Sequence, residues 1–302
     1  MPKVIQRQFS SIIFMQITKY LLSLSLICCI LQWKKLSDKL HSISANHDFV
    51  FGLLHGMFRP NNARIARNSP KAGDLQWTDL SGTFKQISAS VATSYNGTGD
   101  IFALKYSGSL YKWNGTNLME ASKARGRFHD LTPEKIPAVG THGDDILFHK
   151  ISAGFDSMWA LSQSRKVVYD CKFPCKGKFE IVNLKGKPHK KIKHISLGYK
   201  YGWILFDDGQ LYRAEYPFKE KLHTMNLSGV EHKGVVVEAS KIDDSVILLD
   251  KDGNIYTCGS VCTGNWEKQN GNLSHISPLC QNEMFGTNQS LEAYRTTNIM
   301  HE

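Results

Sequence analysis

Residues 195–213 read ISLGYKYGWILFDDGQLYR: an Ile-Ser pair, a short polar loop, the apolar run Trp203-Ile204-Leu205, a turn at Asp208-Gly209, then Leu211-Tyr212-Arg213. This is the grammar of strand, turn, strand. An Asp-Gly between two apolar runs supplies the positive φ angles of a tight hairpin, which a β-carbon resists. Degenerate copies run along the chain. Phe51-Gly52-Leu53 ends in Phe58-Arg59 after Ile43-Ser44, and Phe102-Ala103-Leu104 ends in Tyr111-Lys112 after Ile87-Ser88. Trp159-Ala160-Leu161 ends in Tyr169 after Ile151-Ser152, and Val246-Ile247-Leu248 ends in Tyr256 after Glu238-Ala239-Ser240. The last copy is Phe285-Gly286-Thr287, ending in Tyr294-Arg295 after Ile276-Ser277.

Trp33, Trp77 and Trp266 each stand ten residues before Ile43, Ile87 and Ile276. The Ile-Ser starts, at 43, 87, 151, 195, about 238 and 276, are mostly spaced by about 40 residues. Strand-only repeats of that period predict an all-β fold, a six-bladed β-propeller. Its approximate blades are 33–59, 77–112, 141–170, 179–213, 222–257 and 266–295, within one domain spanning 33–298. Phe51, Phe102, Trp159, Trp203, Val246 and Phe285 fall in one column. Leu53, Leu104, Leu161, Leu205 and Leu248 lie two residues on, on the same sheet face, and are read as blade-to-blade core.

Residues 1–32 differ in kind. They hold Lys3, Arg7 and Lys19 and no acidic residue, followed by an apolar run ending at Leu31. That run is about a dozen residues, short of the roughly 20 needed to cross a bilayer, so a cleaved secretory signal is expected, with Met1 or Met15 as its start, and no stable membrane span. The remaining chain carries 34 basic against 27 acidic residues, a net +7, concentrated in residues 185–194. This cluster reads either as a solvated loop or as a patch for acidic glycans; nucleic acid fits a secreted chain poorly. Residues 113–150 form a long insertion carrying His129, His142 and His149, without metal-ligand spacing.

Cys171 and Cys175 follow the Tyr169 strand as Cys258 and Cys262 follow the Tyr256 strand, suggesting two small disulfide-closed loops and leaving Cys280 over. Asn96, Asn114, Asn226, Asn272 and Asn288 are glycosylation acceptors by sequence, which also fits a secreted, extracellular protein.

The unit from Trp77 to Ser88, followed by residues 101–104 and 110–112, resembles the tectonin repeat, and residues 271–277, GNLSHIS, repeat its Gly-x-Leu-x-x-Ile-Ser ending. Six such units after a signal look like the secreted tectonin lectins, such as fish-egg lectins and their horseshoe-crab relatives. The resemblance covers residues 33–295. Asp38 replaces the repeat glycine in the first unit, and the third to fifth lack the leading tryptophan. It implies multivalent, non-catalytic binding of microbial-surface or glycoprotein glycans, possible partners being acidic polysaccharide or lipopolysaccharide, in innate defence. No cofactor and no metal is implied. Nucleophile-elbow, phosphate-loop and dinucleotide motifs are absent from the sequence, which disfavours an enzyme. Sugar sites need an aromatic plane beside polar groups, and Trp77, Trp113 and Trp266, with Lys187 and Arg213 as polar partners, are the carbohydrate-binding candidates. The alternative is a secreted protein-binding or structural propeller without lectin activity.

Overall fold

The computed structural model describes residues 32–297, apart from 47–48, 55–61, 68–74, 76, 92–98, 116, 119–130, 140–144, 187–188, 217, 219–221, 260–261 and 281–282. The signal-like residues 1–31 lie outside the described part, and Gln32 opens the first strand. Four antiparallel four-stranded sheets stand separately. Their strands are β5 (Gln86–Ala89) to β8 (Glu134–Ile136) with β6 (Ile101–Leu104) and β7 (Leu110–Trp113) between; β9 (Phe148–Ala153), β10 (Ser157–Ser162), β11 (Val168–Lys172) and β12 (Glu180–Ile181); β13 (Ile192–Leu197), β14 (Tyr201–Phe206), β15 (Leu211–Glu215) and β16 (His223–Thr224); and β17 (Gly234–Ala239), β18 (Val246–Asp250), β19 (Asn254–Cys258) and β20 (Glu267–Asn272).

The remaining strands form a seven-stranded sheet rather than two separate ones. In it β21 (His275–Cys280), β22 (Glu283–Thr287) and β23 (Glu292–Thr297) join β1 (Gln32–Ala45), β2 (Phe49–Leu54), β3 (Asn62–Arg67) and β4 (Thr78–Thr83). The 14-residue β1 serves both halves. Its first part pairs with β23, Trp33 opposite Thr296, and after an irregularity its second part pairs with β2, Ile43 opposite Gly52. The two ends of the chain are thus sewn together.

The pairing also sets the phase of the repeat. β4, which follows Trp77, bonds to β3, and β20, which follows Trp266, bonds to β19. The leading tryptophans therefore introduce the outer strand of one sheet, not the first strand of the next. The separate sheets span 86–136, 148–181, 192–224 and 234–272, one strand out of phase with the expected spans. Phe58-Arg59 lies outside the described residues, and the strand that β2 pairs with is Asn62–Arg67.

The fifth copy requires a second correction. Glu238 faces Ile247 as Ser152 faces Trp159 and Ser196 faces Trp203, so Val237-Glu238 takes the Ile-Ser place and Ile247, not Val246, takes the aromatic column. A one-residue slip moves every side chain to the other face. Accordingly Ile247 and Leu249 pack with Ile276 and Met284, while Val246 and Leu248 pack back against Trp203 and Leu205. Elsewhere the columns stand as read: Phe51 and Leu53 meet Ile101 and Ala103 of the following sheet, and Trp159 and Leu161 meet Ile195 and Ile204. At the template hairpin Gly209 has φ +88° and its N–H donates to Phe206 O at 2.9 Å.

Candidate functional site

The first strands of the sheets converge on a narrow central channel lined by Ile43-Ser44, Ile87-Ser88, Ile151-Ser152, Glu238 and Ile276-Ser277. The serines of the repeat stitch neighbouring sheets together. Ser44 Oγ accepts from the Ala89 N–H at 3.0 Å, Ser88 from Ala153 at 2.9 Å and Ser152 from Leu197 at 2.9 Å. Ser196 accepts from Ala239 at 2.8 Å and Ser277 from Ala45 at 3.2 Å. At the remaining junction Glu238 stands in the serine place, and the matching donor position is Pro278, which has no N–H. Both halves of that bond are replaced together.

Each of these donors is buried, so Ser152→Ala would leave the Leu197 N–H without a partner, at a cost of about 1–3 kcal/mol. Urea denaturation should show that loss for Ser152→Ala and Ser88→Ala alike; midpoints equal to the parent's would mean that the serines contribute nothing to the seam.

At one end of the channel the residues one and two places before Ile-Ser come together. They are Lys85 of β5's leading turn, His149 and Lys150 of β9, Lys193 and His194 of β13, and His275 of β21, around a cavity of about 490 Å³. Among the described residues no Asp or Glu lines it. Burial pushes the Lys85, Lys150 and Lys193 ammonium groups down from their ordinary values, with Glu238 partly offsetting this at Lys150. Burial, then the Lys150 charge, holds His194 well below the usual histidine range and brings His275 to about 3. Burial and then Lys85 lower His149. Among the described residues the buried Nδ1 atoms of His194 and His275 have no hydrogen-bond partner.

Deeper in, Glu238 accepts from Ser196 Oγ at 3.0 Å and lies 3.6 Å from His194 Nε2. Burial raises its carboxyl, and Lys150 opposes the rise. Lys241, 6% exposed, reaches across to donate to Ala89 O, tying the sheet begun by β17 to that begun by β5. Its pKa is lowered by burial to about 8. The cavity is therefore a cationic mouth above a channel whose floor holds one carboxylate.

The described carbohydrate-binding candidates lie in separate places. Trp113 is 2% exposed, edge-on to Phe84, with Nε1 donating to Leu131 O at 3.4 Å. Trp266 is 7% exposed and donates to Asn226 O at 2.9 Å. Trp77 is half-buried against the cluster containing Leu36 and Phe285. The three belong to three different inter-sheet clusters, because a ring beside an outer strand is covered by the neighbouring sheet. Arg213 donates to Cys262 O at 3.2 Å with its guanidinium 4.6 Å from the Tyr201 ring centre. Lys187 and Asn96 lie outside the described residues. Asn114, Asn226 and Asn272 are exposed, whereas Asn288 is half-buried and donates to Glu292 at 2.9 Å.

Rings open to the surface sit instead on turns. Tyr199 is edge-on to Phe155 at 4.9 Å, and Tyr216 carries Lys172 Nζ 4.8 Å over its ring. The mouth itself was visible in the sequence as Lys-Gln-Ile-Ser, His-Lys-Ile-Ser, Lys-His-Ile-Ser and Ser-His-Ile-Ser, had the columns before Ile-Ser been stacked. Both expected disulfides are present, Cys171 with Cys175 and Cys258 with Cys262.

No protein-family model matches the chain, and no curated protein sequence matches it. Solved structures do. The β-propeller domain of Myceliophteria thermophila Cps50 (Swd1) aligns with a TM-score of 0.58 at 10% identity, over 89% of this chain and 100% of that one. YCF48 bound to D1 peptide aligns at 0.55 and 9% identity, over 92% and 98%. Human WBSCR16 aligns at 0.51 and 10% identity, over 86% and 72%. These identities carry the fold and nothing finer, and with the radial sheets and their shared channel they make this chain a β-propeller.

Proposed function

We propose that the chain is a secreted, non-catalytic, protein-binding propeller of six blades, the seven-stranded sheet counting as two that share β1. Its ligand site is the mouth of the central channel. The observation that carries this reading is the cavity of about 490 Å³, within the usual range of ligand pockets, where strands from four sheets bring lysines and histidines together. YCF48, which aligns over 98% of its own chain, was solved with a peptide bound. The paired cysteines fit an oxidising compartment.

The tectonin-like, glycan-binding reading is second. Burial of Trp113 and Trp266 takes away two of the three stacking planes it relied on, leaving half-buried Trp77 and the exposed Tyr106, Tyr199 and Tyr216 to serve. The secreted chain should be immobilised and panned against a displayed peptide library, with a glycan array alongside. Peptides should be enriched by the parent and lost with Lys150→Glu. Glycan retention that disappears with Tyr199→Ala or Tyr216→Ala, and no peptide enrichment, would replace this reading with the lectin one.

A further inference from the structure

We infer that the channel mouth is a carboxylate-binding cup that takes the Asp or Glu side chains of an acidic segment in a partner protein. The inference rests on the reading of the propeller as protein-binding and adds the chemistry of what is bound.

The charges point one way. Lys85, Lys150 and Lys193 reach the mouth from three different sheets, and among the described residues none of them forms an ion pair. Lys85 Nζ donates only to His149 O, at 3.0 Å, so its charge stays unneutralised. Glu238, the carboxylate beneath the cup, does not line it and is already engaged by Ser196 and faced by His194. Glu238 and Asp207 act on Lys150 and Lys193 only from beyond ion-pair distance, and a half-buried ammonium with no carboxylate in contact is poorly solvated, so an entering carboxylate supplies the contact partner through charge-assisted hydrogen bonds. The buried, unpartnered Nδ1 atoms of His194 and His275 offer two further groups that can turn from neutral to donating.

Size favours side chains on a chain over a lone ion. A cavity of about 490 Å³ exceeds the volume of one carboxylate several-fold, on the order of 30 Å³ being the share of a single water, so neighbouring acidic residues can enter together.

Binding is also coupled to protons. An anion in the cup raises the affinities of His149, His194 and His275 for protons, which burial and the Lys85 and Lys150 charges depress in the free protein. Lys193 and His41 face the same space, Arg165 adds positive charge beside His149 and Lys193, Asp207 and Lys233 act on Lys193 from outside it, and Glu238 lies below and acts on Lys150. Protons are therefore taken up on binding, and affinity rises as the pH falls.

The test titrates the full secreted chain with a labelled hexaglutamate peptide, using hexalysine, inorganic phosphate and a sulfated polysaccharide as comparison arms. Hexaglutamate should bind and hexalysine should not. Raising salt from about 50 to about 200 mM should weaken binding roughly tenfold, as should each of Lys85→Gln, Lys150→Gln and Lys193→Gln, with melting temperatures unchanged. Calorimetry in two buffers of different ionisation enthalpy should record net proton uptake. If library peptides bind at the mouth but hexaglutamate does not, or if the three variants leave its affinity unchanged, the carboxylate inference is wrong and the protein-binding reading stands. If neither library peptides nor hexaglutamate bind, both are wrong. Retention of sulfated polysaccharide alone overturns both in favour of a glycan-binding mouth.

Discussion

Deletion of residues 1–39, which removes the first part of β1, should leave a chain that does not form a stable monomer. That part of β1 is the outer partner of β23, with Trp33, Lys34 and Lys35 opposite Thr296, Arg295 and Tyr294. Without it β23 becomes an open edge, the feature that closed propellers avoid and that invites pairing with other chains. The deletion also removes Leu36, 3% exposed in the cluster with Leu40 and Phe285, and Trp33, whose Nε1 donates to Asn270 O at 2.8 Å. Loss of a buried leucine, a packed tryptophan and a ladder of backbone bonds sums to about 5 kcal/mol or more, comparable to the whole stability of many domains. Size-exclusion chromatography should show aggregate or misassembled oligomer. Trp33→Ala is the graded version and should lower stability by about 2–3 kcal/mol. Lys35→Ala, at the exposed Glu292 pair, should have no measurable effect. A truncated chain that remains monomeric and melts like the parent would show that closure does not depend on β1.

Closure also explains what could and could not be read from the sequence. The hairpins were legible because their signals are local: Asp208-Gly209 between two apolar runs dictates a turn whatever surrounds it. The ten-residue offset from Trp33, Trp77 and Trp266 to Ile-Ser was legible as a spacing but not as a structure. Spacing does not say whether the strand after a tryptophan pairs backwards or forwards, and the pairing is backwards. Only the join of β1 to β23 sets that phase.

The fifth copy misled for a different reason. With no Ile-Ser present, the triplet Glu238-Ala239-Ser240 stands in for it with a start at about 238, yet Glu238 occupies the serine place, and its proline counterpart Pro278 lies 40 residues away. Two substitutions that make sense only as a pair cannot be recognised singly. The tryptophans misled because an aromatic residue near a strand edge looks exposed until the adjoining sheet is laid over it. Lys85 and Lys150 carry no signal of their own and Lys193 sits inside the basic run 185–194, and only the radial arrangement turns the three into neighbours.

The second large effect is expected at Gly202 on β14, opposite Leu197 on one side and Ala214 on the other. A β-carbon there would lie 1.9 Å from Trp159 Cη2 and 2.5 Å from Cζ2 and Cζ3, far inside contact distance. The indole has little room to give way. Trp159 is fully buried and meets Phe218 at 4.8 Å between ring centres. Gly202→Ala should therefore cost about 3 kcal/mol or more, since overpacking in a tight interior forces strained rotamers or a backbone shift. Trp159→Phe, which trims the indole's outer atoms, should cost about 2 kcal/mol alone by leaving a cavity. Together the two changes should cost less than their sum by about 1–2 kcal/mol, because the new methyl fills part of the space the indole vacates. A double-mutant cycle by urea denaturation measures that coupling. Strict additivity would mean that the two sheets are not pressed together at this point.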